Sequence, residues 1–377
     1  MPALHTIGIT VLSSHLNESL FTNGILQNAV TLFKLLELCP NVRKVHLINL
    51  TPDEPLQANL LVNQYVGKVL DFKTALKSVD LIISGTVTVP DSDIQLAQSN
   101  GIRYVAHIKG SIYHFLSEHI LFKEGPTPGN YLRKPKHTGA WISPHLFAAN
   151  KDFVELTHDC RASVAPLIWT PEFIEQHTEE LARTSNLPRT YTPKPRAKRI
   201  SVFEPNINLL KTCITPILAV ERAFRSEPGA IGHVSIFSAK EIAKKKTFID
   251  WVIGLEIQKA KLITFEARFP IAWSLLAHSD ILLSHQRDIS LNYLYFDAAW
   301  LGYPVIHNSD DLQDFGYYYP GYDASVAAEQ ILRVCREFDA KHEENLQNAR
   351  AYVSRFLWNH PNNISAYTKL ITEAMAE

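Results

Sequence analysis

Between Asp280 and Asn308 the chain reads DILLSHQRDISLNYLYFDAAWLGYPVIHN, and no other stretch limits its fold as strongly. After an acid comes an apolar run, Ile281-Leu282-Leu283, which reads as a strand buried on both faces. A polar loop follows, Ser284–Ser290, and then a helical run, Leu291–Trp300. Gly302 and Pro304 supply stop signals in their usual order, and Pro304-Val305-Ile306 opens the next strand. Strand, loop, helix, Gly-x-Pro and strand make one crossover of a doubly wound parallel sheet. Such sheets hold ligands beyond the carboxyl ends of their strands, which puts the loop Ser284–Ser290 on the ligand side.

The 377 residues are 46% hydrophobic and 20% charged, enough for two α/β domains. A net charge of −1 carries no whole-chain bias toward nucleic acid or an anionic surface. Cys39, Cys160, Cys213 and Cys335 are scattered without a C-x-x-C pair, which fits a reducing compartment and no thiolate metal site. No apolar run reaches the roughly 18–20 residues that span a bilayer. The expected location is cytoplasmic.

In chain order, Thr6–Leu12 reads as the first strand and Ile25–Leu38 as a helix, with Asn23 and Gly24 just before it. Gly24 would allow close backbone approach to an anionic group at the helix amino end. Val45–Leu50, Val69–Leu70, Asp80–Ser84 and Ile102–Ile108 follow as strands, the last with His107, Lys109 and Gly110 at its carboxyl end. Asp91-Ser92-Asp93 has the D-x-D form of a metal chelate but opens a helix, where acids cap free amides. Over Gly101–Ala140 six Lys/Arg face two acids, the most basic stretch of the amino-terminal half. Pro166–Pro171 is the expected hinge and Leu187–Arg199, with three prolines and a basic cluster, a linker. The second half opens with the strand Arg199–Phe203 and the loop carrying Glu204, Asn206 and Lys211. Lys240–Leu255 reads as one helix with a basic face, Asp310 and Asp311 as a helix cap, and three helices end the chain.

The segment Asp297–Ile306 resembles the donor site of GT-B glycosyltransferases, in which an acid heads a helix ending in Ala-x-Gly-x-Pro-Val-Ile. The resemblance implies that Asp297 accepts hydrogen bonds from a nucleotide sugar's ribose. In the loop after the first strand of the second half, that superfamily often places an Arg and a Lys five apart on the donor diphosphate. Asn206 and Lys211 hold those positions here. Arg287 is a further diphosphate candidate, and Glu204, Asp288 and Asn292 complete the expected donor set. His107 resembles, by position, a histidine that touches the donor sugar. Asn23, Gly24 and Lys109 are the expected acceptor residues, and His107, Lys211 and Arg287 the expected catalytic ones. Over residues 5–370 the chain also resembles a mainly proteobacterial family assigned to GT-B. That resemblance rests on segments such as Phe21–Asn28, Ile168–Phe173, Ser201–Asn206 and His307–Ser309.

The expected fold is therefore α/β of GT-B architecture, two Rossmann-like domains facing across a cleft, with the last helix crossing back. The expected acceptor domain is 1–167 plus 357–377, and the expected donor domain 168–356. The expected function is transfer of a sugar from a nucleotide sugar to an acceptor hydroxyl, by default on a surface polysaccharide or lipopolysaccharide. No cofactor is expected and no metal is required, because Lys, Arg and helix amides balance the leaving charge. The rival readings are a phage-type enzyme glycosylating a hydroxylated DNA base, a non-catalytic nucleotide-sugar binder, and a nucleotide-sugar epimerase.

Overall fold

The computed structural model describes residues 3–12, 24–51, 69–87, 89–123 and 134–377. It divides into two units, Met1–Thr170 with Phe356–Glu377, and Pro171–Arg355.

The first unit holds strands β1 (His5–Val11), β2 (Val42–Asn49), β3 (Val69–Asp71), β4 (Leu81–Ile83), β5 (Arg103–Ile108), β6 (Gly139–Ile142) and β7 (Ala162–Val164). They form one sheet, parallel throughout, in the order β3-β2-β1-β4-β5-β6-β7. The order reverses between β1 and β4. Ile7, Ile9 and Val11 of β1 and Leu81, Ile82 and Ile83 of β4 are fully buried, as expected of central strands covered on both faces. Behind β4, Gly85 lies against β1: a Cβ there would stand 2.1 Å from the Thr10 carbonyl oxygen. Its N–H donates to Thr10 Oγ1 at 3.0 Å. The final helix, Pro361–Ala376, belongs to this unit. Asn41 Nδ2 donates to the Thr368 carbonyl at 2.9 Å, and Tyr367 OH to that of Pro166 at 3.0 Å.

The second unit holds β8 (Lys198–Val202), β9 (Ile231–Ile236), β10 (Ile263–Phe265), β11 (Ile281–Leu283), β12 (Val305–His307) and β13 (Tyr317–Tyr318). They too form one parallel sheet, in the order β10-β9-β8-β11-β12-β13, reversing between β8 and β11. The crossover read from Asp280–Asn308 is present as β11, the helix Tyr293–Trp300 and β12. Gly302 ends that helix at φ +85°, a conformation open to glycine at little cost.

Three sequence expectations need correction. Leu187–Arg199 is not a linker. Tyr191 is buried, donating its N–H to the Leu301 carbonyl at 2.8 Å and its OH to Asp339 at 2.7 Å. The basic cluster is equally anchored: Arg196 pairs with buried Asp280 at 2.8 Å, and Lys198 pairs with Asp339. Composition showed the charges but not the distant acids that neutralise them. Lys240–Leu255 is not one helix either: a short turn, Ile242–Lys244, and the helix Lys246–Val252 are separated by Lys245, whose backbone is extended. Finally, Asp310 and Asp311 cap nothing; their carboxylates accept from Tyr318 OH and Ser290 Oγ.

Candidate functional site

In the second unit, polar groups gather at the carboxyl ends of β8 and β11, where the strand order reverses. Glu204, two residues past β8, is 1% exposed. Its Oε1 accepts from Ser284 Oγ and, at 3.0 Å, from the His285 N–H. Ser284 Oγ also meets Tyr295 OH at 2.9 Å, and Tyr319 OH donates to the Ser284 carbonyl at 2.9 Å. Burial raises the Glu204 carboxyl to about 7, against the Ser284 hydroxyl, the Lys211 charge and the His285 amide. Burial also lowers the Lys211 ammonium below its usual value, and the Glu204 charge opposes that shift. Lys211 and Glu204 therefore share one poorly solvated pocket of field.

The loop between them is laced by two asparagines. Asn206 sits at φ +56°, donates its amide to the Glu204 carbonyl at 2.6 Å and accepts the Cys213 N–H at 2.8 Å. Both ends of that amide are committed to the loop, so Asn206 shapes it rather than reaching out of it. Asn208 Oδ1 accepts the N–H groups of Leu210 and Lys211, at 3.1 and 3.2 Å. Leu210, in turn, accepts the Arg287 N–H at 2.8 Å, which joins the loop after β8 to the loop after β11. Lys211 and Arg287 thus flank one backbone hydrogen bond. The Arg287 side chain is 54% exposed and lies 3.5 Å from Asp288, itself at φ +55°.

The helix Tyr293–Trp300 is started by Asn292, whose side chain accepts the Leu294 N–H at 3.2 Å. Asp297 is half-buried, as are Tyr293 and Trp300, four residues before it and three after. These three share the helix's least buried face, while Leu294, Tyr295, Phe296, Ala298 and Ala299 pack inward.

Sequence reasoning missed the supporting network: Ser284, His285, Tyr295, Asn308 and Tyr319. Asn308 brackets Gln286, accepting its N–H at 2.8 Å and donating to its carbonyl at 2.7 Å. His285 Nδ1 meets Tyr319 OH at 3.1 Å. That hydroxyl already donates to Ser284, so the imidazole carries its proton on Nδ1. Burial pushes His285 down to about 4, which keeps it neutral. The one available signal was a polar run directly after an apolar strand.

The first unit carries a separate cavity of about 440 Å³ at the carboxyl ends of β4 and β5. Ser84, Gly85, His107, Lys109, His137 and His158 are among its walls. His107 is 6% exposed, and its Nδ1 has no hydrogen-bond partner among the described residues. Burial, reinforced by the Lys109 charge, holds its pKa well below the ordinary histidine value. Lys109 Nζ donates to the Gly85 carbonyl, and burial lowers its pKa to about 7. Gly24 opens the helix Gly24–Leu36, and Ile25 beside it lines the cavity. Asn23 lies outside the described residues. Asp91 and Asp93 fall in the first turn of the helix Asp91–Ser99, and Asp91 pairs with Lys134 at 2.8 Å. Among the described residues no group of three or more His, Cys, Asp or Glu is arranged to hold a metal ion, and no helix is long and apolar enough to cross a membrane.

Residues 7–371 match the family described as "Protein of unknown function (DUF2827)". No curated protein matches the sequence. Among solved structures, the fold is similar to sucrose-phosphate synthase from Thermosynechococcus elongatus, with a TM-score of 0.58 at 13% identity over 99% of both chains. It is also similar to HepE of Anabaena, solved in complex with UDP-glucose, with a TM-score of 0.54 at 12% identity over 98% of this chain and 100% of that one. A glycosyltransferase from Rickettsia africae gives a TM-score of 0.55 at 12% identity over 98% of each chain. At these identities the likeness is one of fold, and that fold is GT-B.

Proposed function

We propose that this chain, which belongs to the DUF2827 family, is a glycosyltransferase that moves a sugar from a nucleotide-sugar donor to an acceptor hydroxyl. The observation that carries this reading is the backbone hydrogen bond from Arg287 to Leu210, which joins the loop of Lys211 to the loop of Arg287 at the reversal point of the second sheet. Open parallel sheets bind ligands at that point. Two cations on those loops, with a half-buried acid at Asp297 on the helix that follows the second of them, suit the diphosphate and ribose of a nucleotide sugar. The reported binding of UDP-glucose by HepE, which shares the fold, supports the same choice of donor.

In this reaction the acceptor oxygen bonds to the anomeric carbon while the bond from that carbon to the diphosphate oxygen breaks. The acceptor's proton passes to the departing diphosphate or through it to water, and the diphosphate leaves with growing negative charge. Lys211 and Arg287 stabilise that charge, which lowers the barrier without requiring a metal. Glu204 holds the loop and keeps Lys211 in a defined field. The donor is assigned to the second unit. The acceptor is assigned to the cavity of the first, where Lys109 and His107 lie. A hydroxyl of a surface saccharide is the preferred acceptor.

A non-catalytic binder is the second reading, favoured by one observation: the position that often carries Arg in this superfamily is Asn206, with its amide turned into the loop. One experiment separates the two. The purified chain is incubated with UDP-, GDP-, ADP- and dTDP-sugars, and nucleoside diphosphate release is followed with and without saccharide acceptors. Release that needs Lys211 supports the transferase. Binding of a nucleotide sugar with no release under any condition supports the binder.

A further inference from the structure

The cavity of the first unit is built around a positive charge that no acid among the described residues answers. Lys109 and Lys134 both line it. Lys134 is paired with Asp91 at 2.8 Å. Lys109 has no acidic partner among the described residues; its ammonium meets only the neutral carbonyl of Gly85. No lining residue among those described is an acid. Two helices also begin at this cavity: Ile25 and Ile112, both lining residues, lie in the first turns of Gly24–Leu36 and Ile112–Phe122. Helix amino ends carry partial positive charge and attract anions. Ser111 precedes the second helix, but its side chain makes no capping bond, turning instead to His114 Nδ1 at 2.6 Å; of the first-turn amides, that of Tyr113 is taken by Asn150 Oδ1 at 3.0 Å.

Against the same wall stands the His107 ring, whose Nδ1 is closed to solvent and has no partner among the described residues. A buried polar atom without a partner is costly, and a turn of the ring that brings it to a ligand in the cavity removes the cost. An ammonium in poor solvent without a counter-charge is costlier still. A neutral ligand would answer the histidine and leave the lysine as it is. An anionic oxygen would answer both the lysine and the helix ends, and a hydroxyl on the same ligand would answer His107.

We propose that this cavity binds a saccharide carrying an oxyanion, a phosphate or a carboxylate, with the anion on Lys109 and the helix amino ends and a neighbouring hydroxyl on His107. Its role as the acceptor rests on the glycosyltransferase reading; its binding does not. The depressed Lys109 value of about 7 is that of an ammonium without its counter-ion, and an anion in the cavity restores the charge.

The test uses the full chain and four probes: inorganic phosphate, glucose 6-phosphate, glucuronate and glucose. Binding is followed by calorimetry and by the imidazole ¹⁵N resonances of the wild-type protein. Glucose 6-phosphate or glucuronate is expected to bind and to move the His107 resonances, with glucose about 10- to 100-fold weaker. Phosphate competing with glucose 6-phosphate identifies a phosphorylated ligand; glucuronate binding alone identifies a uronate. Lys109→Met is expected to lose this binding and Lys109→Arg to keep most of it. Equal binding of glucose and its charged forms, or no binding of any anion, overturns the proposal. So do unmoved His107 resonances in the wild type, a readout that does not depend on how the variants fold. A parallel titration with UDP keeps the two readings apart. UDP binding without anion binding removes this inference alone, and anion binding without nucleotide binding removes the transferase alone.

Discussion

The backbone N–H of His285 donates to Glu204 Oε1 at 3.0 Å, tying the loop after β11 to the loop after β8. These strands are neighbours in space but belong to oppositely progressing halves of the sheet. The hydrogen bond therefore clasps the two loops at the point where such a sheet opens toward a ligand. The Glu204 charge also favours the ammonium of Lys211, against the effect of burial.

The clasp has a pH signature. The Glu204 carboxyl is raised from 4.5 to about 7 in the folded chain, mainly by burial. Between those two values the unfolded chain loses a proton that the folded chain keeps, so this group lowers stability as pH rises through the window. Relative to Glu204→Gln, the wild type is expected to lose up to roughly 3 kcal/mol across it. Urea unfolding of both proteins on either side of the window measures the difference. A difference that does not change with pH would mean that the carboxyl titrates as if exposed.

Replacing Lys211 tests the donor site. Lys211→Met keeps the length of the side chain and removes the charge. Nucleoside diphosphate affinity is expected to fall about 10- to 100-fold, and affinity for the uncharged nucleoside to change little. Isothermal calorimetry with UDP and uridine reads both. Equal losses for the two ligands would show that the change disturbed the loop rather than a diphosphate contact.

Asp280 is a structural counterpart. It is 1% exposed, accepts a hydrogen bond from Arg196 Nη2 at 2.8 Å, forms an ion pair with Arg196 Nη1 at 2.8 Å and takes the Arg199 N–H at 2.8 Å. Asp280→Asn leaves two arginines at the start of β8 without their counter-charge. The expected cost is on the order of 3 kcal/mol, visible as a lower calorimetric melting temperature. A cost well under about 1 kcal/mol would mean that water screens both arginines.

In the first unit, Gly85→Ala is expected to be severely destabilising. The new methyl would stand 2.1 Å from the Thr10 carbonyl oxygen and 2.7 Å from Ile9 Cγ2, both on the central strand. A loss of about 3 kcal/mol or more follows, because neither backbone nor packed core yields that far cheaply. Circular dichroism during thermal unfolding reports it. Wild-type stability in the variant would mean that the β1–β4 junction opens readily.

What could be read from the residues was mostly local. The stop at Gly302 and Pro304 and the run of parallel strands depend on near neighbours in sequence, and the structure has them; Asp297 does not head its helix but lies in the second turn, after the cap at Asn292. The bond between Ser284 and Glu204 joins residues 80 positions apart, and nothing local announces it. It exists because β8 and β11 become neighbours only when the sheet reverses its order. The cluster Lys194–Arg199 failed for the same reason: Asp280 and Asp339, which hold it, lie far along the chain. Asn206 was read as a side chain facing a ligand, but its left-handed backbone turns the amide back on its own loop.

The closing helix Pro361–Ala376 belongs to the unit whose strands were all made first. During synthesis, everything from Pro171 to Arg355 leaves the ribosome before that helix exists. The amino-terminal sheet must therefore wait with Asn41 unpaired to Thr368, and Trp141 without the Tyr367 ring that meets it edge-on, while the later half of the chain assembles. Vectorial synthesis thus runs against the order in which the two units can be completed, and a fragment cut near residue 170 would inherit that unfinished state permanently.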